Sequence, residues 1–296
     1  MYRLTSRIAL LAALSLAACT TSRANSAAEH ADHDPVAPVN AAVAASTSLP
    51  ADISGARARL ASSPRHGEWV MISAGADSVR AWIVYPERKA KAPVVVVVHE
   101  IYGLTPWVRS VADQLAADGF IAIAPDLLTS KNLPNPTDSV PSELATAAIR
   151  TLNAADVHRQ ISAAAEYAMA LPAALPRYGI VGYCWGGAVS FEHAVRSAKL
   201  GASVVYYGVS PANASLVSVN APVLGLYGGN DARVNATIAP ADSTMRALGK
   251  TYSHHIYEGA GHGFLRQQAG QEGANLKATQ QAWPATISWF RRHLGA

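Results

Sequence analysis

The chain has 296 residues, of which 50% are hydrophobic and 15% are charged, and its formal net charge is +4. A chain of this length and composition can bury a full core, and length alone allows one or two domains. Two of its positive charges, Arg3 and Arg7, precede an apolar run near the N-terminus. The remaining basic residues form no cluster with interleaved aromatic residues, so nucleic-acid binding is not expected.

Residues 1–18 predict an export signal. A short basic region is followed by the apolar run Ile8–Ala18, which is too short to span a membrane. The run ends Leu-Ala-Ala-Cys at Cys19, which resembles the bacterial lipobox. The resemblance implies cleavage before Cys19 and lipid attachment to it, and hence a periplasmic or cell-envelope lipoprotein. Thr20 favours outer-membrane sorting by the same resemblance; an ordinary secretory signal cut nearby is the alternative.

Residues 19–60 are rich in Ala, Ser, Pro and Asp and carry no sustained apolar period. This composition is typical of a flexible linker, so we expect a lipid-anchored linker before a single folded domain over residues 61–296. Two isolated histidines in the linker do not predict a metal site. With Cys19 lipidated, the second cysteine, Cys184, has no disulfide partner within the chain.

The domain alternates predicted strands and helices. Apolar and polar residues alternate in Trp69–Ser73 and Val79–Tyr85, which predicts an antiparallel pair of strands at a sheet edge. The five valines Val94–Val98 predict a strand buried on both faces. Further strands are predicted at Phe120–Ala124, Tyr178–Tyr183, Ser203–Tyr207, Val223–Tyr227 and Tyr252–Tyr257, and helices at Trp107–Ala117, Leu144–Leu171, Gly187–Leu200, Ala241–Leu248 and Gln280–His293. The alternation predicts an α/β fold with a mostly parallel, twisted sheet and helices on both faces. Ligands of such sheets bind beyond the carboxyl ends of the strands.

The pattern Gly182-Tyr183-Cys184-Trp185-Gly186 lies between a predicted strand and a predicted helix. It matches the nucleophile turn Gly-x-Ser-x-Gly with cysteine in place of serine. Glycines permit the close approach of strand and helix that so sharp a turn requires. The helix N-terminus favours a thiolate at Cys184, and the amide of Trp185 is placed to donate into an oxyanion hole. A buried structural cysteine is the alternative interpretation.

Two later strand ends supply a carboxylate and an imidazole in the chain order expected after such a nucleophile. Asp231 follows Gly228-Gly229-Asn230, and His262 lies in the glycine-rich segment Gly259–Phe264. His262 can take the thiol proton and return it to a leaving alkoxide, while Asp231 can hold the imidazole in the required tautomer. A plain turn aspartate is the alternative for Asp231.

The segment after the five valines, His99-Glu100-Ile101, supplies further candidates. The amide of Ile101 is the candidate second donor of the oxyanion hole. A carboxylate at Glu100 can accept the thiol proton, or hold it in a hydrogen bond until substrate arrives. A surface loop glutamate is the alternative for Glu100, and His99 is expected to be a packed histidine at a strand end.

The run Val94–Gly103, the turns at Cys184 and Asp231 and the segment His262–Phe264 together resemble the dienelactone hydrolase family of the α/β-hydrolase fold, over roughly residues 67–294. The resemblance implies a Cys-His-Asp hydrolase of small esters or lactones that forms a thioester acyl-enzyme, with no metal or cofactor. It also implies that Glu100 interacts with the resting thiol and that Arg266 helps hold a substrate carboxylate. Tyr102 is a second candidate for substrate binding.

Two departures limit what the resemblance implies about the substrate. Family members that act on dienelactone carry a further Arg and Tyr before the nucleophile, and Leu127–Asp156 offers only Arg150. Those enzymes also serve in the cytoplasm, whereas this chain carries an export signal. A broad carboxylesterase of larger envelope esters and a non-catalytic surface module of the same fold are therefore alternatives. We expect a monomer that binds a small ester or lactone and meets a membrane only through its N-terminal lipid.

Overall fold

The computed structural model describes residues 49–135 and 138–295. The predicted signal peptide over residues 1–18, the predicted lipidation residue Cys19 and the predicted linker as far as residue 48 lie outside the described residues. In the part of the chain that is described, no helix combines the length and apolar character needed to cross a bilayer.

The described residues form eight strands and eight α-helices. The strands are β1 (Gly67–Ala74), β2 (Asp77–Val84), β3 (Ala92–Val98), β4 (Ile121–Asp126), β5 (Ala174–Tyr183), β6 (Ala202–Tyr206), β7 (Val223–Gly228) and β8 (Tyr252–Tyr257). The helices are α1 (Ala56–Ala61), α2 (Pro106–Ala117), α3 (Ser142–Ile149), α4 (Ala154–Met169), α5 (Trp185–Arg196), α6 (Ala232–Asn235), α7 (Ile238–Ala247) and α8 (Ala274–Leu294).

All eight strands belong to one sheet in the order β1-β2-β4-β3-β5-β6-β7-β8. β1 and β2 pair antiparallel at one edge, β2 pairs antiparallel with β4, and the strands from β4 to β8 run parallel. The predicted edge hairpin is confirmed, and so is the buried valine strand, because every residue of β3 is buried. The predicted α/β-hydrolase fold with a mostly parallel sheet is therefore confirmed.

Each face of the sheet is covered by its own apolar core. On one face, side chains of α4, α5 and α7 pack on the sheet through residues such as Ile161, Phe191 and Met245. On the opposite face, α2 and α8 pack through Leu115 and Phe290. Because both faces are covered, the carboxyl ends of the parallel strands are left as the place where a ligand can reach the sheet.

The segment predicted as one helix over Leu144–Leu171 is two helices, α3 and α4. The break is at Asn153, whose side-chain oxygen accepts hydrogen bonds from the amides of Ala155 at 2.8 Å and Asp156 at 3.4 Å. Asparagine is among the best residues for starting a helix in this way, so Asn153 begins a new helix where the alanine-rich composition predicted continuity. The prediction of one continuous helix is wrong.

Residues 49–60, which the sequence assigned to the linker, pack on the hydrolase body. The amide of Ile53 donates to the carbonyl of Arg266 at 2.9 Å, and Trp107 Nε1 donates to the carbonyl of Ala51 at 3.1 Å. Ala56 on α1 is buried. The small alanines that suggested a linker allow close packing of this segment against α2.

An ion pair fastens the chain between α1 and β1 to the body. Arg65 donates to both carboxylate oxygens of Asp113 on α2, from Nε at 3.0 Å and from Nη2 at 2.6 Å. The hydroxyl of Ser63 donates to the same carboxylate. Asp113 is buried. A bidentate pair of this kind fixes direction as well as distance, so α1 is held in one place on α2.

We predict that Asp113→Ala lowers the free energy of unfolding by about 3 kcal/mol, because it leaves the largely buried Arg65 with only the exposed Glu87 carboxylate, at 4.0 Å, as a counter-charge. Denaturant unfolding followed by circular dichroism measures the change. Glu166→Ala is the control, since Glu166 pairs with Lys199 on the exposed surface at 2.9 Å and its loss is expected to cost about 1 kcal/mol or less. Equal losses in the two variants would contradict a structural role of the Arg65 pair.

Candidate active site

Cys184 lies at the apex of the turn that joins β5 to α5, and its backbone is in an unusual conformation. Its φ is 56° and its ψ is −117°, a region that residues other than glycine rarely occupy. The amide of Cys184 donates to the carbonyl of Tyr206 at 3.1 Å, which fastens the turn to the neighbouring strand β6. The side chain is half-buried and lies at the carboxyl end of the sheet.

Glycines around this turn leave no room for a side chain. A Cβ on Gly182 would lie 1.8 Å from the carbonyl oxygen of Gly186, and a Cβ on Gly186 would lie 2.4 Å from the carbonyl oxygen of His99. Both distances are far inside van der Waals contact, so any larger residue would force the strand and helix apart. The structure therefore gives the physical reason for the glycine pattern around Cys184.

His262 and Asp231 are joined by a short hydrogen bond, with 2.6 Å between His262 Nδ1 and Asp231 Oδ2. Asp231 follows β7, and its other oxygen accepts from the amide of Val234 at 3.4 Å, which begins α6. The imidazole also interacts electrostatically with the sulfur of Cys184, which favours its charged form. The structure thus brings together the three side chains predicted as nucleophile, base and acid.

These contacts favour the charged form of His262. Burial disfavours the imidazolium, but the hydrogen bond with Asp231 and the interaction with Cys184 outweigh it and raise the pKa of His262 to about 10. The stabilisation that His262 contributes to the fold is therefore complete below about pH 6.5 and is lost as the pH rises through about 10. At neutral pH the imidazole of His262 is therefore charged.

The two amides predicted as oxyanion donors lie beside the Cys184 turn. Trp185 is the first residue of α5, so its amide has no acceptor within the helix. Ile101 follows β3, which is hydrogen-bonded to β5. Neither amide has a hydrogen-bond acceptor among residues 49–135 and 138–295. Trp185 stacks on buried His99, with 5.6 Å between ring centroids, so His99 is the packed strand-end histidine that the sequence predicted.

Glu100 is buried and faces Arg266, with 3.0 Å between Glu100 Oε2 and Arg266 Nε. The Nε–H is not aimed at the oxygen, so the contact is an ion pair rather than an aligned hydrogen bond. The guanidinium also lies over the ring of Tyr102, 5.1 Å from its centroid. Burial raises the pKa of Glu100, and the charge of Arg266 opposes this rise. In this conformation Glu100 lies against Arg266, whereas the family resemblance implied a contact with the resting thiol.

Tyr207 was not predicted as a site residue, although it is part of the same group. It directly follows β6, has a φ of 39°, and its ring lies 5.1 Å from the imidazole of His262. Its hydroxyl is fully buried and has no hydrogen-bond partner in the described part of the chain. The sequence signal was available, because Tyr207 follows a strand at the same sheet edge as Cys184 and Asp231.

A cleft of about 570 Å³ opens beside Glu100 and Arg266, and we call it the Arg266 cleft. Its wall includes Tyr102 and, from the segment that the sequence assigned to a linker, Ile53 and Arg57. Arg150, the candidate for the missing family arginine, is exposed at the end of α3 and lines no part of this cleft. The second arginine of the cleft is therefore Arg57, which sequence reasoning missed because α1 was not predicted.

Other histidines lie away from these residues. His158 and His193 are buried between α4 and α5, with 3.2 Å between their Nδ1 atoms, and His254 and His255 lie on the edge strand β8. In residues 49–135 and 138–295, no group of three or more His, Cys, Asp or Glu side chains is arranged to hold a metal ion.

A model of the Dienelactone hydrolase family matches residues 79–294. The chain belongs to the dienelactone hydrolase family. A Salmonella typhimurium protein that carries the name of a carboxymethylenebutenolidase is 29% identical over 268 residues, which cover 84% of this chain and 98% of that protein. A Bradyrhizobium protein named as a 2-oxo-3-(5-oxofuran-2-ylidene)propanoate lactonase is also 29% identical, over 77% of this chain and 94% of that one.

Solved structures agree with this assignment. The crystal structure of a dienelactone hydrolase from Klebsiella pneumoniae is similar with a TM-score of 0.68 and 27% identity, and the match covers 76% of this chain and 98% of that one. A dienelactone hydrolase from Anabaena variabilis shares the fold with a TM-score of 0.59 at 21% identity. As a dienelactone hydrolase family member, the chain is an enzyme of the carboxylic-ester hydrolase class.

We predict that Asp231→Asn lowers the pKa of His262 from about 10 towards its ordinary value near 6.5, because the variant removes a carboxylate that stabilises the imidazolium. A titration of the His262 ring by nuclear magnetic resonance measures the shift. Asp242→Asn is the matched control, since Asp242 lies 4.0 Å from His254 and not near His262. An unchanged His262 titration in Asp231→Asn would contradict this account of the imidazolium.

Proposed function

We propose that this enzyme hydrolyses small esters and lactones with Cys184 as nucleophile, His262 as base and Asp231 as the acid that orients His262. The observation that supports this most strongly is the short hydrogen bond between the Asp231 carboxylate and the His262 imidazole, whose charged form the Cys184 sulfur also stabilises. The three side chains follow β5, β7 and β8, whose carboxyl ends lie at one edge of the parallel sheet. A Cys-His-Asp arrangement of this geometry is suited to acyl transfer.

The proposed reaction has two halves. The Cys184 sulfur attacks the carbonyl carbon, the bond from that carbon to the alkoxide oxygen breaks, and the imidazolium of His262 gives its proton to the departing alkoxide. The product of this half is a thioester between the acyl group and Cys184. Water then attacks the thioester, His262 takes a proton from that water, and the acid leaves as the sulfur is released. For a lactone, the alcohol and the acid leave as one molecule.

The negative oxygen that develops in both halves needs donors that are already in place. We assign this role to the amides of Ile101 and Trp185, which flank Cys184 and have no acceptor in the described residues. We propose that Glu100 first leaves Arg266 and then accepts a proton or a hydrogen bond from the Cys184 thiol. A substrate carboxylate that binds Arg266 would compete with Glu100 and release it.

The Arg266 cleft supports a substrate with a polar or carboxylated part. Arg266 and Arg57 supply positive charge, and Tyr102 supplies an aromatic wall beneath the guanidinium of Arg266. The lactonase name of the Bradyrhizobium relative describes a lactone that carries a carboxylate, a propanoate. We therefore propose Arg266 and Tyr102 as the residues that bind the polar part of an ester or lactone.

We predict that Cys184→Ala and His262→Ala each lower kcat/KM for p-nitrophenyl acetate by at least about 10³-fold, because each removes a group that the acyl-enzyme route needs. Release of p-nitrophenolate measures the rate. His255→Ala is the control for His262→Ala, since His255 is exposed on β8. Mass spectrometry of the wild type quenched during turnover should find the acyl group on Cys184. Wild-type rates in Cys184→Ala would remove the nucleophile assignment.

We also propose that the enzyme is exported and held in the cell envelope by lipid on Cys19. The basic and apolar composition of residues 1–18 and the lipobox-like ending support this proposal.

We predict that Cys19→Ser moves the protein from the membrane fraction to the soluble fraction of cells, because the lipid-bearing thiol is lost. Immunoblots of the two fractions measure the distribution, with Thr20→Ser as control. Retention of Cys19→Ser in the membrane fraction would rule out lipid at this residue.

A further inference from the structure

A second cavity lies on the face of the sheet that α4 and α5 cover, and Trp185, the residue after Cys184, forms part of its wall. It has a volume of about 280 Å³ and lies between α4, α5 and the loop that follows β6, and we call it the α5 cavity. Apolar side chains make up most of its wall, and they include Leu152, Val157, Trp185, Val189 and Val209. The function proposed above makes no use of this cavity.

Two of the segments that line the α5 cavity lie next to active-site residues in the chain. Trp185, Ala188, Val189 and Glu192 follow one another at helical spacing, so one face of α5 forms a wall that starts directly after Cys184. At about 1.5 Å per residue, this wall extends about 10 Å from the nucleophile turn. The opposite wall contains Val209, two residues after Tyr207, whose ring contacts His262.

The wall of the α5 cavity favours an uncharged, apolar group. No Lys or Arg is among its lining residues, and Glu192, which lines it one turn beyond Val189, carries a negative charge. His158 also lines the cavity, and burial lowers its pKa to about 4, so its ring is neutral at pH 7. The Arg266 cleft differs in chemistry, since Arg57, Arg266 and Glu100 make its wall charged.

The position of His262 indicates which part of an ester lies in each cavity. The segment after His262 packs on the α2–α8 face of the sheet through Phe264 and Leu265, and Arg266 lines the cleft on that side. The α5 cavity lies on the opposite face, among residues that pack with α4 and α5. Because His262 must reach the leaving oxygen, the alcohol part of the ester belongs on the side of the Arg266 cleft.

We infer that the α5 cavity is the binding site for an apolar acyl chain of the substrate, which remains bound there while it is attached to Cys184. This inference rests on the function proposed above and adds a substrate class to it: esters with a medium-length aliphatic acyl group. At about 30 Å³ for each water-sized group, the cavity holds about nine non-hydrogen atoms. An acyl chain of six to eight carbons fits this volume.

The wild-type enzyme tests the inference with p-nitrophenyl acetate, butyrate, hexanoate and octanoate. Each fully buried CH₂ group is worth about a fourfold gain in binding, so kcat/KM should rise at least about tenfold from acetate to octanoate. Acetate esters of butanol and hexanol provide the comparison series, in which the chain lengthens on the alcohol side. A flat acyl series, or a rise confined to the alcohol series, would overturn the inference.

Two variants place the effect in the α5 cavity. Ala188→Leu adds atoms to the cavity from a half-buried helical position, and it should lower the octanoate-to-acetate ratio of kcat/KM at least about fivefold. Ala247→Leu is the matched control, because Ala247 is exposed at the end of α7 and lines neither cavity. Leu152→Trp fills the cavity from its opposite side and serves if Ala188→Leu does not fold. A wild-type ratio in a folded Ala188→Leu or Leu152→Trp variant would overturn the assignment.

A binding measurement separates this inference from the proposed catalysis. Titration calorimetry of Cys184→Ala with sodium octanoate and sodium acetate needs no turnover, and octanoate should bind at least about tenfold more tightly. If the wild type hydrolyses none of the esters, the proposed function fails, while tighter octanoate binding still supports the cavity assignment. If the wild type hydrolyses the acetate but the two acids bind equally, the inference alone fails.

Discussion

The close approach of β5 and α5 is the constraint on which the candidate active site depends. Gly182 and Gly186 bring two backbone segments within distances at which no side chain fits, and Cys184 between them takes a conformation with φ of 56°. The strain is held because the amide of Cys184 bonds to β6 and because α5 packs on the sheet. The result is a thiol that projects from the sheet edge at the N-terminus of a helix. The imidazole of His262 therefore meets a sulfur whose position is fixed by the backbone.

The rest of the site follows from where parallel strands end. Glu100, Cys184, Tyr207 and Asp231 follow β3, β5, β6 and β7, and His262 follows β8 after a turn. A parallel sheet brings all these ends to one edge, so residues more than 150 positions apart become neighbours. The two faces of the sheet then supply different surroundings, with arginines and α1 on one side and apolar residues of α4 and α5 on the other.

The sequence predicted these parts unequally, for physical reasons. The valines of β3 and the alternation in β1 and β2 reflect burial, a strong and local signal, and those strands are confirmed. The Cys184 turn was predicted because its glycines are a steric requirement that is visible in the chain. The break at Asn153 was missed because the sequence around it favours a continuous helix, whereas the side chain of this one residue caps the start of a new helix.

The sequence alone did not predict contacts between segments that are far apart in the chain. Residues 49–60 resemble a linker in composition. Their hydrogen-bond partners lie far along the chain: Ala51 accepts from Trp107 on α2, and Ile53 donates to Arg266. Arg57 was missed for the same reason. The partner of Glu100 could not be predicted either, because the Arg266 ion pair joins two segments through side-chain orientation rather than through a pattern in either one.

The placement of the base after the outermost strand has a consequence for how the enzyme fails on heating. β8 pairs with β7 alone, and most of its side chains are at least partly exposed, whereas β3 and β5 are buried in the middle of the sheet. Border strands fray at a lower cost than central ones. Fraying of β8 would draw the imidazole away from the sulfur while the centre of the sheet stays intact. Thermal inactivation should accordingly set in, reversibly, some degrees before the cooperative melting of the domain.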